Sequence, residues 1–423
     1  MSLWWVLACS STTPEVAEDP LGDTAAEDTG DSGDTGDSGD AGDTGDTGDT
    51  GDTGTTGDGD WNQFQELLAG TATLSETLQS ISDSDGWPLR SESGWVFVVE
   101  GDQTVSWAGD ASAWELLPMT RGDGFSWVEV SIPEPAGSGY KFVVGESYQP
   151  DPWARAYSYD EFGEISYVRG AGGHLERFLN QDLGVVQRTL RVWVPVGTVT
   201  HHLYVHDGQN LFDPSAMNGG WKLQSVVGSG TLVVGLDHAG AERLNEYGPY
   251  PDTLGGEAVG GGADALLSDL VTVLVPQIEG RYGEPTKRGM MGSSMGGLVS
   301  LYAGLTQPEH WDFVASMSGT LGWGSLELNG ATVLDQMSGQ DVAIFLDSGG
   351  SPDCVDSDGD GVQDDGMDSD NYCVTRQAAD TLAASGWVWE QDLWHWHEDG
   401  ATHSESAWAA RVWRPVGIFE GLE

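Results

Sequence analysis

The chain has 423 residues, with 16 lysines and arginines against 68 aspartates and glutamates, and a formal net charge of −52. So acidic a surface repels the phosphates of nucleic acid and of anionic membranes, which excludes both as ligands. No apolar run reaches the roughly 18 residues that a transmembrane helix needs, and the length allows two or three domains. The acidity is uneven. Residues 1–60 hold 16 acidic residues and no basic one, and nine further aspartates stand between Asp347 and Asp370.

The chain opens with "MSLWWVLACSS" within residues 1–22, a short apolar run ending at Cys9. It resembles a bacterial lipoprotein signal, in which the cysteine is lipidated and becomes the mature N-terminus. That resemblance implies a cell-envelope protein, either anchored at the outer membrane or secreted, that touches a membrane only through its lipid. The other two cysteines, Cys354 and Cys373, then form an even pair in an oxidising compartment, as a disulfide requires. Residues 23–60 are a low-complexity tract that includes "DTGDSGDTGDSGDAGDTGDTG". Repeated Gly, Asp and small residues bury nothing and repel one another, so the tract reads as a disordered spacer. As a coil it would span roughly 35 Å.

From Trp61 the composition becomes globular. A short helical lead around "QFQELLAG" precedes the strand-like segments "GWVFVVEG", "FSWVEVSIP" and "YKFVVGES", separated by turn residues. They predict a small antiparallel β-sandwich within residues 61–175. Over 176–423 strands such as "LRVWVPV", "HLYVHDG", "TLVVGLD", "RGMMGS" and "VAIFLDSGG" alternate with helices such as "SDLVTVLVPQIEGRYG". The last strand is expected in "GWVWEQDLWHWH". Such alternation predicts an α/β fold with a mostly parallel sheet covered on both faces.

Gly292-Ser293-Ser294-Met295-Gly296 is a G-x-S-x-G directly after an apolar strand and directly before a helix. That context makes a sharp turn that exposes the central serine, with the next backbone N–H aimed at a developing oxyanion. Ser294 is thus the candidate nucleophile and Met295 the first oxyanion donor. The post-strand turn in "YVHDGQNLF" offers a second donor at Gly208 or Gln209. A serine needs a base. His403, in the loop "HEDGATHSESAW" after the last strand, is preferred to His397; His395 and His397 alternate within "LWHWH" and read as packing residues with satisfied ring nitrogens.

The segments "RTLRVWVPV", "LYVHDGQNLFD", "LVVGLDHAGAERLNEYGPY", "GMMGSSMGGLVSLYAGLTQPEHW", "ASMSGTLGWG" and "THSESAW" follow one another in the order of an esterase family. That family includes the enterochelin esterases and the feruloyl esterases, and the resemblance covers about residues 180–420. It implies an α/β-hydrolase fold, a Ser-His-Asp triad and ester hydrolysis without an organic cofactor. The preceding segment is similar to the immunoglobulin-like early-set domain of enterochelin esterases. Arg243, Glu246 and Trp323 match family positions and are expected in the substrate pocket. The family's acid lies a few residues past "AIFLDSGG", where this chain carries an insert. Asp347 ends that strand and reads as structural; Asp353 is the first candidate for the acid and Asp370 the second.

The insert, "CVDSDGDGVQDDGMDSDNYC" at 354–373, resembles a calcium loop of the thrombospondin type 3 kind. Asp356, Asp358 and Asp360 stand at alternate positions, followed by Asp364 and Asp368, and hard cations such as Ca²⁺ take six to eight oxygen ligands. Met367 replaces the glutamate that would close an EF-hand. Calcium is expected as a structural ion. Two functions remain open at this level: a serine esterase acting on carbohydrate-linked, aryl or siderophore-type esters, and a non-catalytic calcium-dependent adhesion protein on the same scaffold.

Overall fold

A computed structural model describes residues 58–216, 219–254, 256–324, 333, 341–355 and 370–422. Cys9, nearly all of the expected spacer, and Asp356, Asp358, Asp360, Asp364 and Asp368 lie outside the described residues. Residues 56–423 belong to one compact unit.

The first element is a helix, Asp58–Leu68, which begins inside the segment read as spacer. The second, Leu74–Asp83, starts at Thr73, whose hydroxyl accepts from the Glu76 amide and so occupies one orphan donor of the first turn. Phe64, Leu67, Leu78 and Ile81 of these helices pack on Val96 and Val98 of strand Trp95–Glu100. Trp95 and Phe97, on the opposite face of that strand, enter a second core with Trp107, Tyr140 and Phe142. Both faces are therefore covered, which is why "WVFVV" reads as a continuous apolar run and not as an alternation. The second core lies between two antiparallel layers. One is the sheet built on Trp95–Glu100 and Phe125–Val130; the other contains Val105–Gly109, Gly139–Val144, Ala156–Asp160 and Gly163–Tyr167.

The main sheet follows as β1 (His174–Leu183), β2 (Val186–Val194), β3 (His201–His206), β4 (Thr231–Leu236), β5 (Lys287–Ser293), β6 (Phe313–Met317), β7 (Ala343–Ser348) and β8 (Leu393–His397). The strand order is β1-β2-β4-β3-β5-β6-β7-β8, antiparallel through β2 and parallel from β4 to β8. β1 also pairs with Ala156–Asp160 through Leu175 and Tyr157. The boundary expected between 175 and 176 thus falls inside a strand shared by both parts. Only the end of "GWVWEQDLWHWH" is strand, because Val388–Asp392 makes a hydrogen-bonded turn ahead of β8.

Helices α1 (Met295–Thr306), α2 (Tyr372–Ser385), α3 (Glu405–Arg411) and α4 (Trp413–Gly421) position the site. Tyr204, Met290 and Leu298 belong to the core on one face of the sheet, and Leu203, Val205, Met291 and Phe419 to the core on the other. Neighbours along a strand alternate between two buried cores, as a sheet covered on both faces demands. Parallel strands end at one common edge, so the loops after β3, β5, β6, β7 and β8 converge there.

Candidate active site

The convergence begins at Ser294, between β5 and α1, with φ 55° and ψ −123°. A non-glycine residue at such a φ is strained, and the surrounding structure must hold it there. Two glycines make the turn possible. A Cβ on Gly292 would lie 2.5 Å from the Gly296 backbone, and one on Gly296 would lie 3.1 Å from both the Asp207 carboxylate and the His206 Cβ. The Ser294 amide donates to the Met317 carbonyl at 2.9 Å, and its own carbonyl accepts from Leu298 and Thr320. The turn is thus tied to β6 and to the first turn of α1.

The Ser294 hydroxyl lies 2.9 Å from His403 Nε2, and His403 Nδ1 lies 2.7 Å from Asp370 Oδ1. His403 comes from the loop between β8 and α3 and packs edge-on against Trp408, 4.9 Å between ring centres. Asp370 precedes α2 and is buried. Asp353, the first candidate for the acid, is exposed and accepts from the Ser351 hydroxyl at 3.3 Å. Asp353 lies just before the insert and is exposed, whereas Asp370 lies near the insert's far end, two residues before α2, and is buried against His403. The Cys354–Cys373 disulfide closes the insert with the two Cα atoms 5.4 Å apart.

Asp370 Oδ2 is held on three sides: by the Gly349 amide at 2.6 Å, the Ser318 hydroxyl at 2.7 Å and Arg411 Nη2 at 3.1 Å. Gly349 must lack a side chain, since a Cβ there would meet that oxygen at 2.5 Å. Arg411 also donates from Nε to Asp347 at 2.8 Å. One guanidinium thus serves two fully buried carboxylates. Burial pushes Asp347 up to about 6, against the pull of Arg411. Ser318 links the group, accepting from Trp408 Nε1 at 3.0 Å and from Arg411 Nη2 at 2.7 Å while it donates to Asp370. Asp347 is structural, as expected.

Met295 opens α1, so its N–H is one of the first-turn donors that no helical carbonyl reaches. Gly208 and Gln209 form a 3₁₀ turn with Asn210 one residue after β3, with Gly208 against the end of β4 at Gly235 and Leu236. Arg243 was expected in the substrate pocket. It is buried and pairs with Asp207 through two bonds of 2.8 and 2.9 Å, bracing the residue before that turn. Glu246 is buried as well, held by Arg188 at 2.6 and 2.7 Å and by the Val185 amide. Trp323 is 6 % exposed and donates to the Tyr250 carbonyl at 2.7 Å from within the core. All three family positions are thus buried and bonded to other parts of the frame. Charged residues of this kind enter a core only when paired.

Three residues at the site escaped the sequence reading. Thr320 places its hydroxyl 3.5 Å from that of Ser294. Glu405 and Arg411 share with Trp408 the buried face of α3. Their spacing of three residues was the available signal: two charges on the apolar stripe of a helix need buried partners. His395 contacts the Ser348 hydroxyl at 3.3 Å, while His397 packs on Tyr372 with neither ring nitrogen hydrogen-bonded. The expectation of satisfied nitrogens therefore fails at His397. Among the described residues no group of three or more His, Cys, Asp and Glu could hold a metal ion.

The profile of the family described as "Putative esterase" matches residues 179–414, more than half of the chain. The chain belongs to that esterase family. Its curated relatives include the "Uncharacterized protein YbbA" of Bacillus subtilis (strain 168), 31% identical over 126 residues. That match covers 28% of this chain and 49% of the relative, so the two share about half of the relative's length. Solved structures similar to this esterase include the ferric enterobactin esterase of Salmonella typhimurium, at 13% identity and a TM-score of 0.40, covering 78% of this chain and 95% of that one. An IroE-like serine hydrolase from Shewanella oneidensis is similar at 19% identity and a TM-score of 0.46, over 59% and 80% of the two chains. The siderophore hydrolase EstA of Aspergillus nidulans is similar at 18% and 0.42, over 58% and 94%.

Proposed function

We propose that the protein is a serine esterase in which Ser294, His403 and Asp370 act as the triad. The observation that carries this reading is the unbroken line from a strained serine to His403 at 2.9 Å and on to a buried carboxylate at 2.7 Å. His403 Nε2 takes the Ser294 proton as Oγ attacks the ester carbonyl carbon. The Met295 N–H and an N–H of the Gly208–Gln209 turn receive the charge that develops on the carbonyl oxygen. His403 then gives the proton to the departing alkoxide as the C–O bond breaks. Water, deprotonated by the same imidazole, releases the acyl group and restores Ser294. Asp370 keeps the Nδ1–H pointed away from the serine, so that Nε2 is free to accept.

Hydrolysis of a short p-nitrophenyl ester by wild type and Ser294→Ala tests this directly; equal rates in the two proteins would sink it. A purely adhesive role would leave the three side chains aligned without use, and nothing favours it. Of the ester classes, carbohydrate-linked and aryl esters fit best. A triply anionic ferric siderophore would approach a chain of net charge −52 against its field. A panel varying the acyl and alcohol groups separates these, and a preference for the ferric siderophore would overturn the ranking. The two-layered N-terminal part reads as an immunoglobulin-like early-set domain, the insert as a calcium loop and Cys9 as a lipid anchor. The anchor predicts that the protein sediments with membranes and that Cys9→Ser releases it; an unchanged membrane fraction counts against it.

A further inference from the structure

Glu405 lies two residues after His403 and is 3 % exposed. Its carboxylate leaves the loop that carries the base and reaches the turn assigned to the oxyanion. Oε1 accepts from Asn210 Nδ2 at 2.9 Å, and Oε2 accepts from Trp221 Nε1. Asn210 is the last residue of the Gly208–Asn210 turn, and its carbonyl accepts from the Trp221 amide at 2.9 Å. The two donors are therefore already fixed to each other, and Glu405 is the clasp between them and α3. None of these bonds goes to Asp370 or Arg411, so they form a second brace on the site, adjoining the first where Trp221 packs against Trp408, 6.4 Å between ring centres.

We propose that Glu405 is a positioning residue, whose ionised carboxylate holds the Gly208–Asn210 turn in register with His403 and so keeps the oxyanion donors on target. The inference rests on the esterase reading above. Both partners are donors, so a carboxylate satisfies both at once. Adding a proton turns one acceptor into a hydroxyl, which accepts more weakly and brings a third donor, so that bond weakens. The charged groups facing Glu405 are Asp207, from the end of β3, and Arg243, which is paired with Asp207. Burial is the main influence, followed by the like charge of Asp207, and together they push Glu405 up to about 7 against Trp221, Arg243 and Asn210. The clasp accordingly takes up its proton within the neutral range.

The test compares wild type, Glu405→Gln and Ser294→Ala in p-nitrophenyl ester hydrolysis across the neutral range, with melting temperatures. A glutamine has one acceptor for two donors. The expected result is a loss of kcat on the order of 10-fold to 100-fold with little change in KM, the cost of a misplaced turn. Wild type should lose kcat more steeply than Glu405→Gln as pH drops through about 7, because only wild type loses the clasp as well as the general base. Glu405→Asp, which keeps both acceptors on a shorter arm, should recover part of kcat. An unchanged kcat, or a pH profile as steep in Glu405→Gln as in wild type, overturns the proposal. So does a loss that tracks the melting temperature and is not recovered by aspartate. Equal hydrolysis by wild type and Ser294→Ala would instead fell the esterase reading itself, a failure visible without any Glu405 variant.

Discussion

Replacing Asp370 by asparagine should nearly abolish turnover, for a reason that can be worked out atom by atom. The Oδ2 position of Asp370 faces three donors: the Gly349 amide, the Ser318 hydroxyl and Arg411 Nη2. An amide nitrogen placed there would oppose all three, so the asparagine must put its carbonyl oxygen at that site. Its NH₂ then occupies the Oδ1 position, 2.7 Å from His403 Nδ1. Nδ1 can meet it only as an acceptor, which moves the ring proton to Nε2 and points it at Ser294. The imidazole can no longer take the serine proton. Loss of the correct tautomer costs about 10⁴-fold in kcat, or roughly 5 kcal/mol of transition-state stabilisation. Fold and substrate affinity should survive, because Arg411 keeps Asp347. Steady-state kinetics with a p-nitrophenyl ester would measure this, alongside Asp353→Asn as the control, expected within twofold of wild type. If Asp370→Asn stays within tenfold of wild type, or if Asp353→Asn is the more damaged, the assignment of the acid is wrong.

Buried His206, with both ring nitrogens unpartnered, is pushed down to about 4, chiefly by burial, against Asp207 and with Arg188 and Arg243 adding to the shift. An unfolded imidazole titrates near 6.5, so its contribution is intact above that pH and is lost as pH falls from about 6.5 toward 4, by roughly 3 kcal/mol at most. Urea unfolding at neutral and acid pH should show His206→Leu losing less stability on acidification than wild type; parallel losses would refute it. The Cys354–Cys373 bond closes a 19-residue separation three residues beyond Asp370, and such a cross-link is worth roughly 3 kcal/mol. Cys354→Ser/Cys373→Ser should therefore melt lower and turn over more slowly, and an unchanged kcat would mean that Asp370 is held without it. If the aspartates from Asp356 to Asp368 bind calcium, EGTA should lower the melting temperature of wild type but not of an Asp356→Asn/Asp358→Asn/Asp360→Asn variant. No shift in wild type would dismiss the site.

Some of this was legible in the residues alone because it is local. An apolar strand, a G-x-S-x-G and a helix in immediate succession specify the turn at Ser294, since Gly292 and Gly296 are needed within that one bend. The loop after the last strand likewise brings His403 to the edge where parallel strands end. Motif matching ran out where charges are buried. Arg243 and Glu246 carry the residue types of a pocket, yet a charged side chain is equally at home in a core if a distant partner neutralises it. Those partners, Asp207 and Arg188, lie 36 and 58 residues away.

The sequence by itself therefore determined the chemistry available: an α/β sheet, a nucleophile at its elbow, a base beyond its last strand. It also confined the candidate acid to two aspartates near the ends of one insert. Only the tertiary structure brings one of them, Asp370, to His403. Asp353 and Asp370 are equally good carboxylates, and nothing within a few residues of either distinguishes them. The choice is made by Gly349, Ser318 and Arg411, brought by three separate segments to one oxygen of Asp370. A buried carboxylate is held and oriented only where such donors converge, and convergence of that kind belongs to the folded chain.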